Sequence, residues 1–221
     1  MIRPAAQRAF TLVEILVVVG MIAFLAGLIG LGLGDPGGNS LASAQTTLAT
    51  IVNSARAQAA VNQSDVRLLI YATRPPSGDA EKYLRLMQVF LFNSSTNTYT
   101  PAGNPVSLPR GVCFVPNSVS GLLASGVSWP ANPPLLSSVP AGTVNPAQPS
   151  GRPFNGGVGY YIEFKPDGTV TQLGTGSYLR LVVATAALVN NVPQFNNNAA
   201  VRGILLRASG ALTMVNDAAS F

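Results

Sequence analysis

The stretch RAFTLVEILVVVGMIAFLAG, residues 8–27, decides how the rest of the chain is read. One carboxylate, Glu14, stands at the head of a run that is otherwise apolar. From Ile15 to Leu33 no residue carries a charge. As a helix, those residues would extend roughly 28 Å, close to the ~30 Å hydrocarbon thickness of a bilayer. Gly20, Gly27, Gly30 and Gly32 soften the run and permit close approach of neighbouring helices. Asp35-Pro36-Gly37-Gly38 is expected to break or bend it.

Two ordinary readings of this stretch compete. A secretory signal peptide has a shorter apolar core, with its small-residue cleavage site after that core. Here the run is longer, and the small residue, Ala9, comes before it. A plain membrane anchor fits the length but leaves Glu14 unexplained. A carboxylate at the bilayer centre costs on the order of 2.5–3.5 kcal/mol on insertion scales, and less near a helix end. Arg3 and Arg8 precede the run, so the N-terminus is expected on the cytoplasmic side and the bulk of the chain outside.

The bulk composition fits one anchored domain. The chain has 221 residues, enough for a single globular core plus an anchor. Only 10% of residues are charged, against an average of roughly 25%. Neutral polar residues supply much of the solvation, a surface style that suits an exported protein. The net charge is +5; leaving out Arg3 and Arg8, eleven basic residues face eight acidic ones. That excess is too mild to signal nucleic-acid binding by itself.

With one cysteine and no histidine, an intramolecular disulfide, a Cys/His metal site and any His-based catalytic triad are all impossible. Cys113 lies in the apolar run GVCFV and reads as a buried core thiol rather than a reactive one. Asp35, Asp65, Asp79, Glu81, Glu163, Asp167 and Asp217 form no acid/base pair at motif spacing. Asp79 and Glu81 read as solvated turn residues. No calcium loop, Walker motif or dinucleotide fingerprint appears. No catalytic residue, metal ligand or cofactor is expected, and the chain does not read as an enzyme.

Beyond the Gly-rich break, NSLASAQTTLATIVNSARAQAAVNQ reads as an amphipathic helix. Leu41, Ala44, Leu48, Ile51, Val52, Ala55 and Ala59 fall at helical spacing, with Asn39 or Ser40 as cap. Strand-like runs follow at residues 65–72, 82–92, 106–116, 158–174, 177–188 and 201–216. Pro166-Asp167-Gly168 and Ala208-Ser209-Gly210 mark two hairpins. The expected core comprises Leu68, Ile70, Leu84, Leu86, Val89, Phe114, Ile162, Phe164, Leu181, Val183, Ile204 and Leu206. Residues 117–157 hold seven of the 17 prolines and read as a surface loop or insertion. Trp129 and Leu135-Leu136 would pin it down or contact a neighbour. Residues 190–201 read as a polar loop.

The segment A-FTLVEILVVVGMIAFLAG resembles the N-terminal processing and methylation segment of type IV pilins and pseudopilins. The resemblance implies a leader at residues 1–9, cleavage between Ala9 and Phe10 by a prepilin peptidase, N-methylation of Phe10, and an assembly role for Glu14 as the fifth residue of the mature chain. The residue before the cut is usually Gly; Ala9 implies slower cleavage or a peptidase that accepts Ala. In a filament of that family the carboxylate would pair with the amino terminus of a neighbouring subunit. Later pieces, NSARAQAAVNQSDVRLLIY, IEFKPDGTVT and RGILLRASGALTM, are similar to the GspH/FimT-type pseudopilin domain.

The resemblance implies an α+β fold, a long N-terminal membrane-spanning and spine helix packed on antiparallel β-sheets. The domains would be a leader (1–9), a transmembrane and assembly helix (10–34), a Gly/Pro break with an amphipathic spine helix (35–62), and a β-rich domain (63–221). Arg56 in SARAQA has two readings: a cation at the carbonyl end of the helix, or a subunit contact. The implied partners are other pseudopilins or pilins, the prepilin peptidase, the inner membrane, and a type II secretion or type IV pilus machinery. The chain would be a single-pass protein of the cytoplasmic membrane with an extracytoplasmic domain. An alternative is a minor pilin that captures DNA. Family members of that kind carry basic residues in the last hairpin and tail, whereas SGALTMVNDAASF has no Arg, and only Arg202 and Arg207 lie upstream. A third reading is an anchored exported domain that never polymerises.

Overall fold

The computed structural model describes residues 12–32, 36–75, 77–129, 141–143, 158–171, 178–197 and 200–221. The chain divides into two units, Met1–Pro36 and Gly37–Phe221. In the first, helix α1 spans Leu12–Gly32, and Glu14 lies in its first turn. In the second, one helix and eleven short strands among the described residues build an α+β domain.

Helix α2 runs Pro36–Asn62. Proline opens it at the position where a missing N–H costs nothing. The helix therefore begins ahead of the Asn39 or Ser40 cap expected from sequence. Its apolar stripe is buried as the spacing predicts, from Leu41 through Ala44, Leu48, Val52 and Ala55 to Ala59. On the other side, the hydroxyls of Thr46, Thr47 and Thr50 donate to carbonyls four residues back. That satisfies them locally. The helix ends where Gln63 takes a left-handed conformation (φ 48°).

The first sheet has strand order β3-β2-β1-β7-β6, with β4 also pairing β2. These are β1 Val66–Tyr71, β2 Leu86–Asn93, β3 Thr98–Pro101, β4 Val106–Ser107, β6 Ala141–Thr143 and β7 Val158–Phe164. All pairings are antiparallel. Leu68 stands between Val89 and Ile162, which places three of the expected core residues side by side. Alternation puts Leu69 and Tyr71 on the opposite face, where they bury with Leu86 and Phe90 as a second, smaller cluster.

The second sheet has order β11-β10-β8-β5, with β9 also pairing β8. Its strands are β5 Val112–Phe114, β8 Tyr178–Val189, β9 Val192–Phe195, β10 Val201–Arg207 and β11 Leu212–Val215. Buried Gln45 ties α2 to this sheet, donating to the carbonyls of Gly203 and Val215 at 2.8 Å each. All twelve residues of the expected core are buried.

Four local expectations change. The run at 82–92 becomes strand only from Leu86, because residues 79–85 form a turn and Leu84 has φ 54°. Leu84 then bridges the sheets: its N–H donates to the Tyr71 carbonyl and its own carbonyl accepts from Phe114, both at 2.8 Å. The run at 106–116 splits into β4 and β5 around a turn at Arg110-Gly111. The loop expected at 190–201 contains β9, because Asn190 and Asn191, both at positive φ, form the tight turn of a β8–β9 hairpin. The 158–174 hairpin keeps its turn, and among the described residues, which reach Thr171, its return arm forms one bridge, Phe164 with Val170, rather than a strand. Val170 N–H donates to the Ala208 carbonyl of the other turn.

Within 117–157, Trp129 is half-buried against the core and its ring sits 5.6 Å from that of Phe195. Leu123 bridges Phe195 in parallel. Leu135-Leu136 lie outside the described residues.

Candidate functional site

Helix α1 carries the first candidate. Ala9 and Phe10, the expected cleavage and methylation positions, lie outside the described residues; Glu14 lies within them. A carboxylate in the first turn is favoured by the positive end of the helix dipole. Around it every large apolar side chain from Leu12 to Ile22 is exposed, Leu12 by 80%. A continuous apolar helix surface open to water is the signature of a surface that binds other apolar matter. Each such side chain gains roughly 1.5–3 kcal/mol on full burial. Among the described residues, no helix is long and apolar enough to cross a membrane.

The β-rich unit holds an ionic cluster on the first sheet. The register sets Arg67 opposite Glu163, and Arg67 Nε donates to Glu163 Oε2 at 2.8 Å. The Arg67 guanidinium also lies over two rings, 3.9 Å from the Tyr99 centroid and 4.5 Å from that of Tyr161. Tyr99 Oη donates to the same carboxylate at 3.1 Å. Lys165 Nζ reaches Asp65 at 2.6 Å and Glu163 at 3.1 Å. Burial alone would raise the Glu163 carboxyl, but hydrogen bonds from Arg67 and Lys165 outweigh it and hold the group below its usual range. Burial raises the Tyr99 phenol. These groups neutralise one another, so the cluster holds a closed set of structural partners rather than a base poised for proton transfer.

Asp79 and Glu81 are likewise paired, with Lys82 at 2.6 Å and Arg85 at 2.8 Å. Among the described residues, no group of His, Cys, Asp and Glu could hold a metal ion. Cys113 is buried on β5, and burial pushes its thiol up to about 12.

Arg56 departs from its helix-end reading. It sits six residues before the end of α2, whose last turn has no basic residue. Its side chain lies under the two hairpin turns. A Cβ built at Gly168 would stand 2.8 Å from Arg56 Nε, and one at Gly210 would meet the same atom at 2.8 Å. Both glycines are left-handed, with φ 78° and 74°. No sequence pattern announces this meeting, because three segments far apart in the chain build it.

Arg202 and Arg207, the basic residues considered for DNA, do not converge. They lie five positions apart on β10, so their side chains leave opposite faces of the sheet.

No protein-family model matches the chain, and no curated protein is similar to it in sequence. Among solved structures, the chain is similar to two of the minor pseudopilin EpsH from the type II secretion system of Vibrio cholerae. One has 11% identity and a TM-score of 0.37, covering 79% of this chain and 94% of that one. The other has 9% identity and a TM-score of 0.38, covering 81% and 96%.

Proposed function

We propose that the chain is a structural subunit, a minor pseudopilin or minor pilin. It is cut between Ala9 and Phe10 by a prepilin peptidase, methylated at Phe10, and held in the cytoplasmic membrane by its apolar N-terminal helix. The N-terminus faces the cytoplasm and the β-rich unit lies outside. Assembly through that helix builds a type II secretion pseudopilus or a type IV pilus. The observation that carries this reading is Glu14, one carboxylate at the head of an apolar helix whose large side chains are exposed from Leu12 to Ile22. An apolar bundle of neighbouring helices would accept those side chains. The same bundle would make an unpaired carboxylate costly, by about 3–5 kcal/mol when one partner of a buried pair is missing. The new amino group of Phe10 on an adjacent subunit is the cation that relieves this cost. Glu14 then sets axial register by penalising the wrong one.

Two measurements test the reading. Mass spectrometry of the protein from its native membrane should find Phe10 as the N-terminus, carrying one methyl group; retention of Met1 overturns it. Glu14→Ala should insert in the membrane at normal levels and enter filaments more than about tenfold less. Normal incorporation would remove the register role. Capture of DNA is not favoured, since Arg202 and Arg207 leave opposite faces of β10 and two charges give little phosphate affinity at physiological salt.

A further inference from the structure

In the β-rich unit every described Asp and Glu side chain has an ion-pair or hydrogen-bond partner. Asp65, Asp79, Glu81 and Glu163 form ion pairs. Asp167 accepts from Thr169 in its own turn, and Asp217 from Ser220 in the cap of a short terminal 3-10 turn. The cations are not matched in the same way. Arg180 and Arg207 have no carboxylate at ion-pair distance among the described residues.

The register of β8 with β10 brings these two arginines together. Arg180 pairs with Leu205, and Tyr178 pairs with Arg207. All four side chains therefore share one face, the face opposite fully buried Leu179, Leu181 and Leu206. The arginines are diagonal neighbours, a relation that sets residues roughly 7–8 Å apart. Like charges so placed on a sheet repel, and no carboxylate on the sheet relieves them. Arg180 lies 5.5 Å from the Tyr178 ring centroid, so the ring helps to hold the guanidinium in place. Tyr178, Arg180 and Leu205 are half-buried and Arg207 is exposed, with exposed Thr213 beside Leu205 on β11.

We propose that this face docks an acidic segment of a neighbouring protein subunit, whose Asp or Glu carboxylates bridge Arg180 and Arg207 over a floor of Tyr178 and Leu205. That the neighbour is a co-assembled filament subunit rests on the function proposed above; the acidic chemistry of the contact does not. Tyrosine and arginine around a small apolar centre are the residue types that dominate protein interfaces. Two cations are too few to hold a phosphate polymer at physiological salt. The carboxylates come from outside because no carboxylate among the described residues lies at ion-pair distance from either arginine.

The test places a photo-crosslinking amino acid at Thr213 in the full-length chain, in cells, and identifies the linked peptide by mass spectrometry. The expected product joins Thr213 to a peptide of another envelope protein that contains at least two acidic residues. Arg180→Glu with Arg207→Glu should lower that product about tenfold or more; Arg180→Lys with Arg207→Lys should retain most of it. Lysine in place of the partner's acidic residues should restore it to the Glu variant. An unchanged yield on charge reversal, or a linked surface without acidic residues, overturns the proposal. So does binding of a short single-stranded DNA at physiological salt that the reversal abolishes. Thermal melting of the detergent-solubilised full chain checks that the variants fold. Processing at Phe10 is read in the same sample. Absence of the cross-link while Arg180 and Arg207 are intact, with normal processing and filament entry, defeats the docking surface alone. A charge-dependent cross-link with Met1 retained defeats the filament reading alone.

Discussion

The Arg67 guanidinium lies over the Tyr99 ring on the first sheet, its central carbon 3.9 Å from the ring centroid. The contact joins β1 to β3, which do not pair with each other; β2 lies between them. The same guanidinium satisfies buried Glu163, so removing it leaves that carboxylate with one fewer cation. Arg67→Ala should destabilise the β-rich unit by roughly 1–3 kcal/mol, combining the lost stacking with the exposed weakness at Glu163. Arg67→Lys should recover only part, because an ammonium lacks the planar fork. Urea denaturation followed by tyrosine fluorescence reads both; a neutral Arg67→Ala would contradict the cluster's role.

Glu163 predicts an acid limb. Its carboxyl is lowered in the folded chain from an ordinary value near 4.5. A lowered group contributes stability that is present above the unfolded value and is lost as pH falls through the folded one. Melting temperature should therefore drop below about pH 4.5, and Glu163→Gln should flatten that drop while lowering stability at neutral pH. Melting curves of both proteins taken between neutral and acid pH should converge at the acid end. Parallel curves would show that Glu163 does not carry the limb.

Gly168 and Gly210 should differ under substitution, although both are left-handed and both face Arg56. At Gly168 the nearest atoms to an added Cβ all belong to the Arg56 side chain. At Gly210 the nearest is the Gly168 carbonyl oxygen, at 2.2 Å. Gly168→Ala should cost about 1–2 kcal/mol for the backbone conformation plus a clash that Arg56 can relieve by moving. Gly210→Ala should cost more, because a backbone atom cannot swing away. Arg56→Ala should partly rescue Gly168→Ala and leave Gly210→Ala unrescued. Equal rescue of both, read from a double-mutant cycle, would refute this geometry.

Cys113 should be inert in the folded chain. It is buried, and its thiol is pushed up to about 12, so the reactive thiolate is scarce at neutral pH. Labelling by a maleimide should follow global unfolding in urea. Fast labelling without denaturant would place the thiol nearer the surface than β5 allows.

Much of the second unit was legible in its sequence because burial follows period. The α2 stripe from Leu41 to Ala59 repeats at helical spacing, and Leu68 and Ile70, like Ile162 and Phe164, alternate at strand spacing. Those periods place a side chain on a face without reference to anything distant. The reading failed where one residue's backbone broke the period. Leu84 looks like part of a strand, yet a left-handed backbone makes it the bridge between two sheets. Asn190-Asn191 has the polarity of a loop but serves as a hairpin turn.

The sequence by itself determined the apolar N-terminal run with its carboxylate, the amphipathic helix, most strands and the core, since each depends on neighbours a few positions away. Only the tertiary structure decided that Arg67 closes on Glu163, ninety-six positions along the chain. It alone placed Arg56 beneath two turns and set Arg180 beside Arg207. The two strand relations depend on strand order and register, and one residue of slip in a strand would send its side chains to the opposite face.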